Sequence, residues 1–332
     1  MLRFGRVSLG AVALAALALS APLRAADPKY FPADTEIVVN INVKQILGSE
    51  LLKANKDKLD QLKELIKGQL PGDAQAQKYL ERMGFDPFKD LTSVTIAMPP
   101  SKDPDAVFVI VEGAFQQEKI QGVAERVAQE HGEVFKINKI GNYRVFEISP
   151  EGEKKVYATV LNNNTMVAST SEGSVKAAIN RATGGTRANL KKEITSLLQT
   201  TSPKQSFSFV ATGSALVKLA EDAPVPNQQA LQALQAVEGI SGAVTISKDV
   251  QLQLGVAAKD VATAKDFAQK ANAGLNIVRF LVAQKAQQDE RLAPVADAVK
   301  TLRATSEGST LILRAEMSVD NIQKLMQNFN PN

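Results

Sequence analysis

The chain contains no cysteine, no tryptophan and only one histidine among its 332 residues. Without cysteine it has no thiolate nucleophile, no disulfide, no cysteine-ligated metal site and no lipid-modified N-terminal cysteine. A single histidine also excludes metal sites built from several imidazoles. Hydrophobic residues make up 44% of the chain, which is enough for a core in one large domain or two ordinary ones. The composition therefore indicates a globular protein and excludes many kinds of chemistry.

The N-terminus has the pattern of a secretory signal. Two arginines precede an uncharged apolar stretch, 7–19, and small residues follow that stretch. A membrane-spanning helix needs about 20 apolar residues, so this stretch is too short to be one. We predict that residues 1–25 are a signal peptide, cleaved after Ala25 or Ala26, and that the mature protein is secreted to the periplasm or the exterior. An uncleaved N-terminal anchor is the alternative, and no transmembrane segment is expected after signal removal.

The charge balance argues against nucleic acid as a partner. The whole chain has 39 basic and 35 acidic residues, a formal charge of +4. The predicted signal holds three arginines and no acid, so its removal lowers the charge to +1. Nucleic-acid binding depends on many Lys and Arg contacts to phosphate, and the mature chain lacks that basic excess. We therefore expect a protein or an envelope component as the partner.

Several segments alternate apolar and polar residues with a period of two, which is typical of strands with one buried face. Such alternation favours antiparallel sheets over parallel ones, whose strands are apolar on both faces. The apolar sets are Ile37, Val39, Ile41 and Val43; Val94, Ile96 and Met98; Val107, Val109 and Val111; Val156, Ala158 and Val160; Val250, Leu252, Leu254 and Val256; and Leu311, Leu313, Ala315 and Met317.

Helical patterns lie between these strands. Leu52, Leu59, Leu62 and Ile66 recur at helical spacing among charged residues, which predicts an amphipathic surface helix. A second helix is predicted over 117–130, and a long one over 260–288 with another at 291–302.

The order of elements is the same in both halves of the chain. Strand, helix, two strands, helix and strand follow one another as in a ferredoxin-like βαββαβ unit. We predict an internally duplicated α+β protein with mostly antiparallel sheets and helices packed on one face. The first repeat covers 26–190 and the second covers 191–332. Two separate sheets and one continuous sheet are both compatible with this pattern.

The long helix carries a stripe of mostly small residues. Such a stripe permits close helix contact, either with the protein's own sheet or with a second copy in a coiled coil, and the internal contact is preferred. The stripe consists of Val261, Ala264, Ala268, Ala271, Leu275, Val278 and Val282.

No motif predicts catalysis, a cofactor or a metal. His131, the sole imidazole, follows the 117–130 helix, where a solvated histidine is favourable. The closest acid pairs are Asp103 with Asp105 and Glu151 with Glu153, and their spacing suits turns and lacks the pattern of a calcium loop. We therefore predict no catalytic, cofactor-binding or metal-binding residue.

Two short runs carry a resemblance. Phe-Pro-Ala-Asp-Thr at 31–35 and Gly-Phe-Asp-Pro-Phe-Lys-Asp-Leu at 84–91 each lead into a strand. The chain resembles exported bacterial proteins of unknown function built from duplicated α+β units. That resemblance implies export and architecture, and it supplies no site residue.

The functional prediction is a non-enzymatic binding or structural protein of the bacterial periplasm or envelope. Exposed strand edges and helix grooves are the features that bind a partner in such proteins. A carrier of a small apolar or lipid-like ligand is the alternative, and a carboxylate-dependent hydrolase ranks below it.

Overall fold

The computed structural model describes residues 27–54, 60, 73–100, 107–149, 151–152, 154–186, 188–221, 231 and 233–329. Within these residues, twelve strands form a single antiparallel sheet. The strands are β1 (Ile37–Ile41), β2 (Leu91–Met98), β3 (Phe108–Gly113), β4 (Phe135–Ile140), β5 (Tyr143–Ile148), β6 (Val156–Asn162), β7 (Thr165–Ser169), β8 (Phe207–Thr212), β9 (Val237–Ile246), β10 (Val250–Ala258), β11 (Arg303–Glu307) and β12 (Thr310–Met317).

The helices connect these strands, and most of them lie between elements of the same half. They are α1 (Val43–Leu47), α2 (Glu50–Ala54), α3 (Asp73–Met83), α4 (Pro87–Asp90), α5 (Gln117–Glu130), α6 (Glu172–Ala182), α7 (Lys192–Leu198), α8 (Gly213–Glu221), α9 (Val261–Gln288), α10 (Ala293–Thr301) and α11 (Val319–Phe329).

The strand order across the sheet is β11-β12-β10-β9-β8-β1-β2-β3-β7-β6-β5-β4. The two halves of the chain meet at the centre, where β1 pairs antiparallel with β8 and Val38 lies opposite Val210. Both side chains are almost completely buried, at 3% and 0% exposure. The strands of both halves therefore belong to one continuous sheet.

The predicted α+β class is confirmed. Along the chain, β1, α1–α4, β2, β3, α5 and β5 occur in the predicted order, with β4 as an additional strand before β5. In the second half, β8, α8, β9, β10, α9 and β11 follow the same order. In both halves the first three strands are direct neighbours in the sheet. The internal duplication and the boundary at residue 190 remain predictions.

Helices cover both faces of the sheet, whereas the sequence analysis expected one covered face. Adjacent residues of a strand point to opposite faces. Ile110 of β3 packs in a cluster with Val175 of α6 and Ile194 of α7. The next residue, Val111, packs in a different cluster with Ile120 of α5. The physical reason is that β3 is apolar at every position from 108 to 111, so each of its faces needs a cover.

The long helix packs against the C-terminal edge of the sheet. Asp260 begins α9 by accepting a hydrogen bond from the backbone nitrogen of Thr263 at 2.7 Å. Ala264 and Ala268 are 0% and 7% exposed. Ala268 packs in a cluster with Leu311 of β12. The middle of the predicted stripe thus packs on the protein's own sheet, as preferred.

The stripe is exposed at its start and near its end, whereas its last residue, Val282, is partly buried. Val261 is 48% exposed and Val278 is 42% exposed. The amphipathic helix predicted from Leu52 to Ile66 falls largely outside the described residues. Strand β4 had not been predicted, although Phe135 and Ile137 alternate there, because lysines interrupt the pattern.

Candidate interaction surface

Four exposed apolar side chains lie within five consecutive positions of α9. Ile277 is 61% exposed, Val278 42%, Phe280 68% and Leu281 51%. At 3.6 residues per turn these four positions cover less than half of the helix circumference, so they form one contiguous surface. We call these four residues the α9 patch. Contiguous apolar patches of this kind often mark interaction sites on soluble proteins.

Polar anchors on the opposite side fix the rotation of α9. The guanidinium of Arg279 donates a hydrogen bond to the backbone oxygen of Leu302, next to β11. Two helical turns earlier, Asn272 Nδ2 donates to the backbone oxygen of Ala304 in β11 at 2.8 Å. Because Arg279 points inward, its neighbours in the α9 patch point outward. The patch is therefore a consequence of how the helix is attached to the edge strand.

Two small residues precede the α9 patch on the same side of the helix. Ala273 and Gly274 are both exposed. A Cβ atom placed on Gly274 would meet no atom within 4 Å. The outward face of α9 thus has no bulky side chain at these two positions, which lie nearly two turns before Phe280.

A buried carboxylate lies where the two halves of the sheet meet. Glu36 precedes β1 and is 2% exposed. Thr212, at the end of β8, donates a hydrogen bond from Oγ1 to Glu36 Oε2 at 2.6 Å. Ser214 Oγ donates to the same oxygen, and Lys191 Nζ donates to Oε1. The Thr212 hydroxyl also accepts from the backbone nitrogen of Ala215 at 3.2 Å, which caps α8.

These contacts determine the protonation of Glu36. Burial favours the neutral acid, but the hydrogen bonds from Lys191, Ser214 and Thr212 together outweigh it. They hold the pKa of Glu36 below its ordinary value. The carboxylate is therefore ionised and fully engaged at neutral pH, which suits a structural role better than proton transfer.

Two cavities among the described residues have several charged side chains in their linings. One of about 580 Å³ adjoins the Glu36 contacts and is lined in part by Glu193, Glu238, Lys191 and Lys259. Another of about 500 Å³ lies over β10 and β12 and includes Arg314 in its lining. Such linings do not favour a carrier of apolar ligands. Two acids do face the first cavity, so the absence of enzymatic activity remains a prediction.

The residues considered as candidates from the sequence lie at exposed positions or outside the described residues. His131 ends α5, its side chain is 43% exposed, and its Nδ1 lies 4.0 Å from Glu133 Oε1. Glu151 is exposed in a turn. Asp103, Asp105 and Glu153 lie outside the described residues. The sequence analysis did not identify the α9 patch or Glu36 as functional candidates.

A partly buried carboxyl elsewhere on the sheet has a raised pKa. Burial raises the pKa of Glu112 on β3, and a hydrogen bond from Ser93 Oγ to its Oε2 at 2.6 Å opposes that shift without cancelling it. This group lies on the sheet and packs away from the α9 patch. In the part of the chain that the structure describes, no group of three or more acidic or histidine side chains is placed to hold a metal ion. No described helix is long and apolar enough to cross a membrane.

Comparison with known proteins identifies no family. Neither a protein-family model nor a curated protein matches the chain. Among solved structures, crystal form I of TP0453 aligns with 93% of this chain and 100% of its own length, at 9% sequence identity and a TM-score of 0.47. That degree of similarity assigns no function to this chain.

Proposed function

We propose that the chain is an exported, non-enzymatic binding or structural protein of the bacterial periplasm or envelope, and that it contacts its partner through the α9 patch. The observation that carries the proposal is the exposure of Phe280 and its three neighbours on an ordered helix. The N-terminal signal pattern supports the exported location.

The fold does not use these side chains. The small residues of α9 already fill the contact with the sheet, and the inward guanidinium of Arg279 is anchored to backbone. Leaving four bulky apolar side chains in water forgoes the stabilisation that their burial would give, about 1.5–3 kcal/mol for each fully buried side chain. A partner that covers the patch recovers part of that free energy.

A photo-crosslinking amino acid at Phe280 tests the proposal in cells that produce the protein. We expect a discrete adduct at position 280 that disappears when Ile277→Asp is added. The matched control places the same crosslinker at Ala283, an exposed position on another side of α9. Identical adducts from positions 280 and 283, or none from position 280, would contradict a binding role for the patch.

Cell fractionation with N-terminal sequencing tests the exported location. We expect the protein in the periplasmic or envelope fraction, with Ala26 or Asp27 as its first residue. A cytoplasmic protein that begins at Met1 would contradict export.

A further inference from the structure

We infer that the sheet face opposite α9 holds a binding site for a saccharide with carboxylate groups, one of which binds between Arg303 and Arg314. The inference goes beyond the proposed function, because it concerns a different surface and a different kind of ligand. Ala304 and Leu313 lie directly opposite each other on β11 and β12, and both pack in the cluster that contains Ala268 of α9. Arg303 and Arg314 are their neighbours along the two strands, so the arginine side chains point to the other face.

The two arginines leave one positive charge uncompensated. They are paired directly in the register of β11 and β12, which puts their Cα atoms about 5 Å apart, and like charges at such positions are destabilising. Arg314 Nη2 lies 3.0 Å from Glu307 Oε1, so its charge is balanced. Arg303 donates from Nη1 to the backbone oxygens of Lys300 and Leu302. Its Nε and Nη2 donate to no described residue, and no described acid pairs with it.

The cavity of about 500 Å³ over β10 and β12 lies beside this pair, and both arginines line it. Its volume is within the range of small-molecule sites, about 300–1,000 Å³. The register places Gln253 next to Arg314 and Gln251 next to Glu316 on the neighbouring strand. Uncharged side chains with carboxamide or hydroxyl groups form another part of the lining, namely Gln205, Thr245, Gln251 and Gln253.

These uncharged groups are available to a ligand. The side chains of Thr245, Gln251 and Gln253 make no hydrogen bond with another residue in the described part of the chain. Carboxamides and hydroxyls both donate and accept hydrogen bonds, so they complement sugar hydroxyls, which do the same. Arginine binds a carboxylate through two parallel hydrogen bonds. A saccharide with a carboxylate therefore matches both parts of the cavity.

The charges around the cavity favour a carboxylate over a phosphate. Lys300 is a third basic residue of the lining, and its Nζ lies 2.8 Å from Asp297 Oδ1, so its charge is balanced. A carboxylate carries one negative charge and matches the single uncompensated charge of Arg303, whereas a phosphate group carries about −1.5 to −2. Glu316 also lines the cavity, two residues or about 7 Å along β12 from Arg314. Its carboxylate would repel the larger charge more strongly.

Isothermal titration calorimetry of the purified protein at low salt tests the site. The probes are trigalacturonate, which is an acidic trisaccharide, maltotriose, which is a neutral one, and inorganic phosphate. We expect trigalacturonate to bind about tenfold or more tightly than maltotriose, because only the acidic probe can form charge-assisted hydrogen bonds with Arg303. Phosphate is expected to bind more weakly than trigalacturonate, since it cannot reach the glutamines.

Three variants separate a specific site from general attraction of an anion. Arg303→Gln removes the uncompensated charge and is expected to weaken trigalacturonate binding about tenfold or more. Gln253→Ala removes one neutral contact without a change of charge and is expected to weaken binding about two- to tenfold. Arg126→Gln lowers the net charge equally at an exposed position of α5 and is expected to leave the affinity unchanged. The thermal midpoint of each variant shows whether it is folded, and Gln253→Ala tests the site independently of Arg303.

Each outcome supports or overturns the inference. Trigalacturonate binding that weakens in Arg303→Gln and Gln253→Ala but not in Arg126→Gln supports the site. Equal weakening in Arg303→Gln and Arg126→Gln overturns it, because general attraction then explains the binding. Absence of trigalacturonate binding, equal binding of maltotriose, or tighter binding of phosphate also overturns it. None of these results bears on the crosslinking test at Phe280, so the inference and the proposed function can fail separately.

Discussion

Replacement of Thr212 by valine tests whether the Thr212 hydroxyl stabilises the contact between the two halves of the sheet, where β1 pairs with β8. Thr212 is 2% exposed. Its Oγ1 donates to Glu36 at 2.6 Å and accepts from Ala215 at 3.2 Å. Valine has nearly the same shape, so the substitution removes these two hydrogen bonds and leaves the packing in place. Glu36 directly precedes β1 and Thr212 is the last residue of β8, so the substitution affects the contact between the two halves of the chain.

The expected cost follows from the two hydrogen bonds. Loss of a bond to a charged group costs about 1.5–3 kcal/mol, and loss of a helix N-cap costs about 0.5–2 kcal/mol. Because one hydroxyl makes both contacts, the two costs overlap. We expect Thr212→Val to lower the free energy of unfolding by about 2–4 kcal/mol.

Thr212→Ser is the matched control, because it keeps the hydroxyl and loses a methyl group worth about 1 kcal/mol. The free energy of unfolding is measured by urea denaturation at pH 7, followed by circular dichroism. If the valine variant is no less stable than the serine variant, the Thr212 hydroxyl does not stabilise the contact between β1 and β8, and this prediction is refuted.

The pH dependence provides a second check on the same variant. The folded-state pKa of Glu36 is lowered, so its ionised contacts stabilise the protein above the ordinary glutamate pKa of about 4.3. That stabilisation is lost as the pH falls through the folded-state pKa. Since Thr212 helps to lower the pKa, the difference between Thr212→Val and the native protein is expected to shrink below about pH 4. A difference that stays constant from pH 7 to pH 3 would indicate that the ionised carboxylate is not involved.

Three substitutions elsewhere test the raised pKa of Glu112 and the packing around Gly242 and Ile110. Glu112→Gln is expected to stabilise the protein at pH 7 by up to about 1 kcal/mol, because burial penalises the charged form of Glu112 and raises its pKa. At pH 4 the effect is expected to be smaller. Equal effects at both pH values in denaturant titrations would contradict this. Gly242→Ala is expected to cost about 1–3 kcal/mol, because its Cβ would collide with the Phe209 ring, and a thermal midpoint equal to that of the native protein would argue against the close contact. Ile110→Ala removes a side chain that is 0% exposed and is expected to cost about 2–5 kcal/mol in the same measurement; a cost below 1 kcal/mol would mean that this site is not tightly packed.

The sequence was informative wherever the signal was local. Period-two alternation predicted strands such as β10 and β12, and apolar residues at spacings of three and four marked the long helix α9. The strand β4 was missed because Lys136 and Lys139 obscure its alternation. Edge strands commonly carry lysine, since charge there discourages pairing with other chains. The lysines that obscured the alternation of β4 are thus typical of a strand at the edge of a sheet.

The candidate surface needed information that is not local. Apolar residues occur on both sides of α9 between Leu275 and Val282, so periodicity alone does not show which side faces the sheet. The contacts of Asn272 and Arg279 with the region of β11 decide the rotation, and their acceptors are backbone oxygens 32 and 23 positions further along the chain. Glu36 was overlooked for the same reason, because its partners come from the second half of the chain.

The pairing of β1 with β8 has a consequence for the order in which the protein folds. Strand β2 ends at Met98, and more than 100 residues follow it before Phe207–Thr212 is made, so β1 initially has only β2 beside it. Until β8 arrives, β1 is an open strand edge with apolar side chains, which is the kind of surface that pairs with other chains. Contacts between strands so distant in sequence also form slowly. The first half therefore exposes an unpaired, aggregation-prone strand edge until β8, the first strand of the second half, is added.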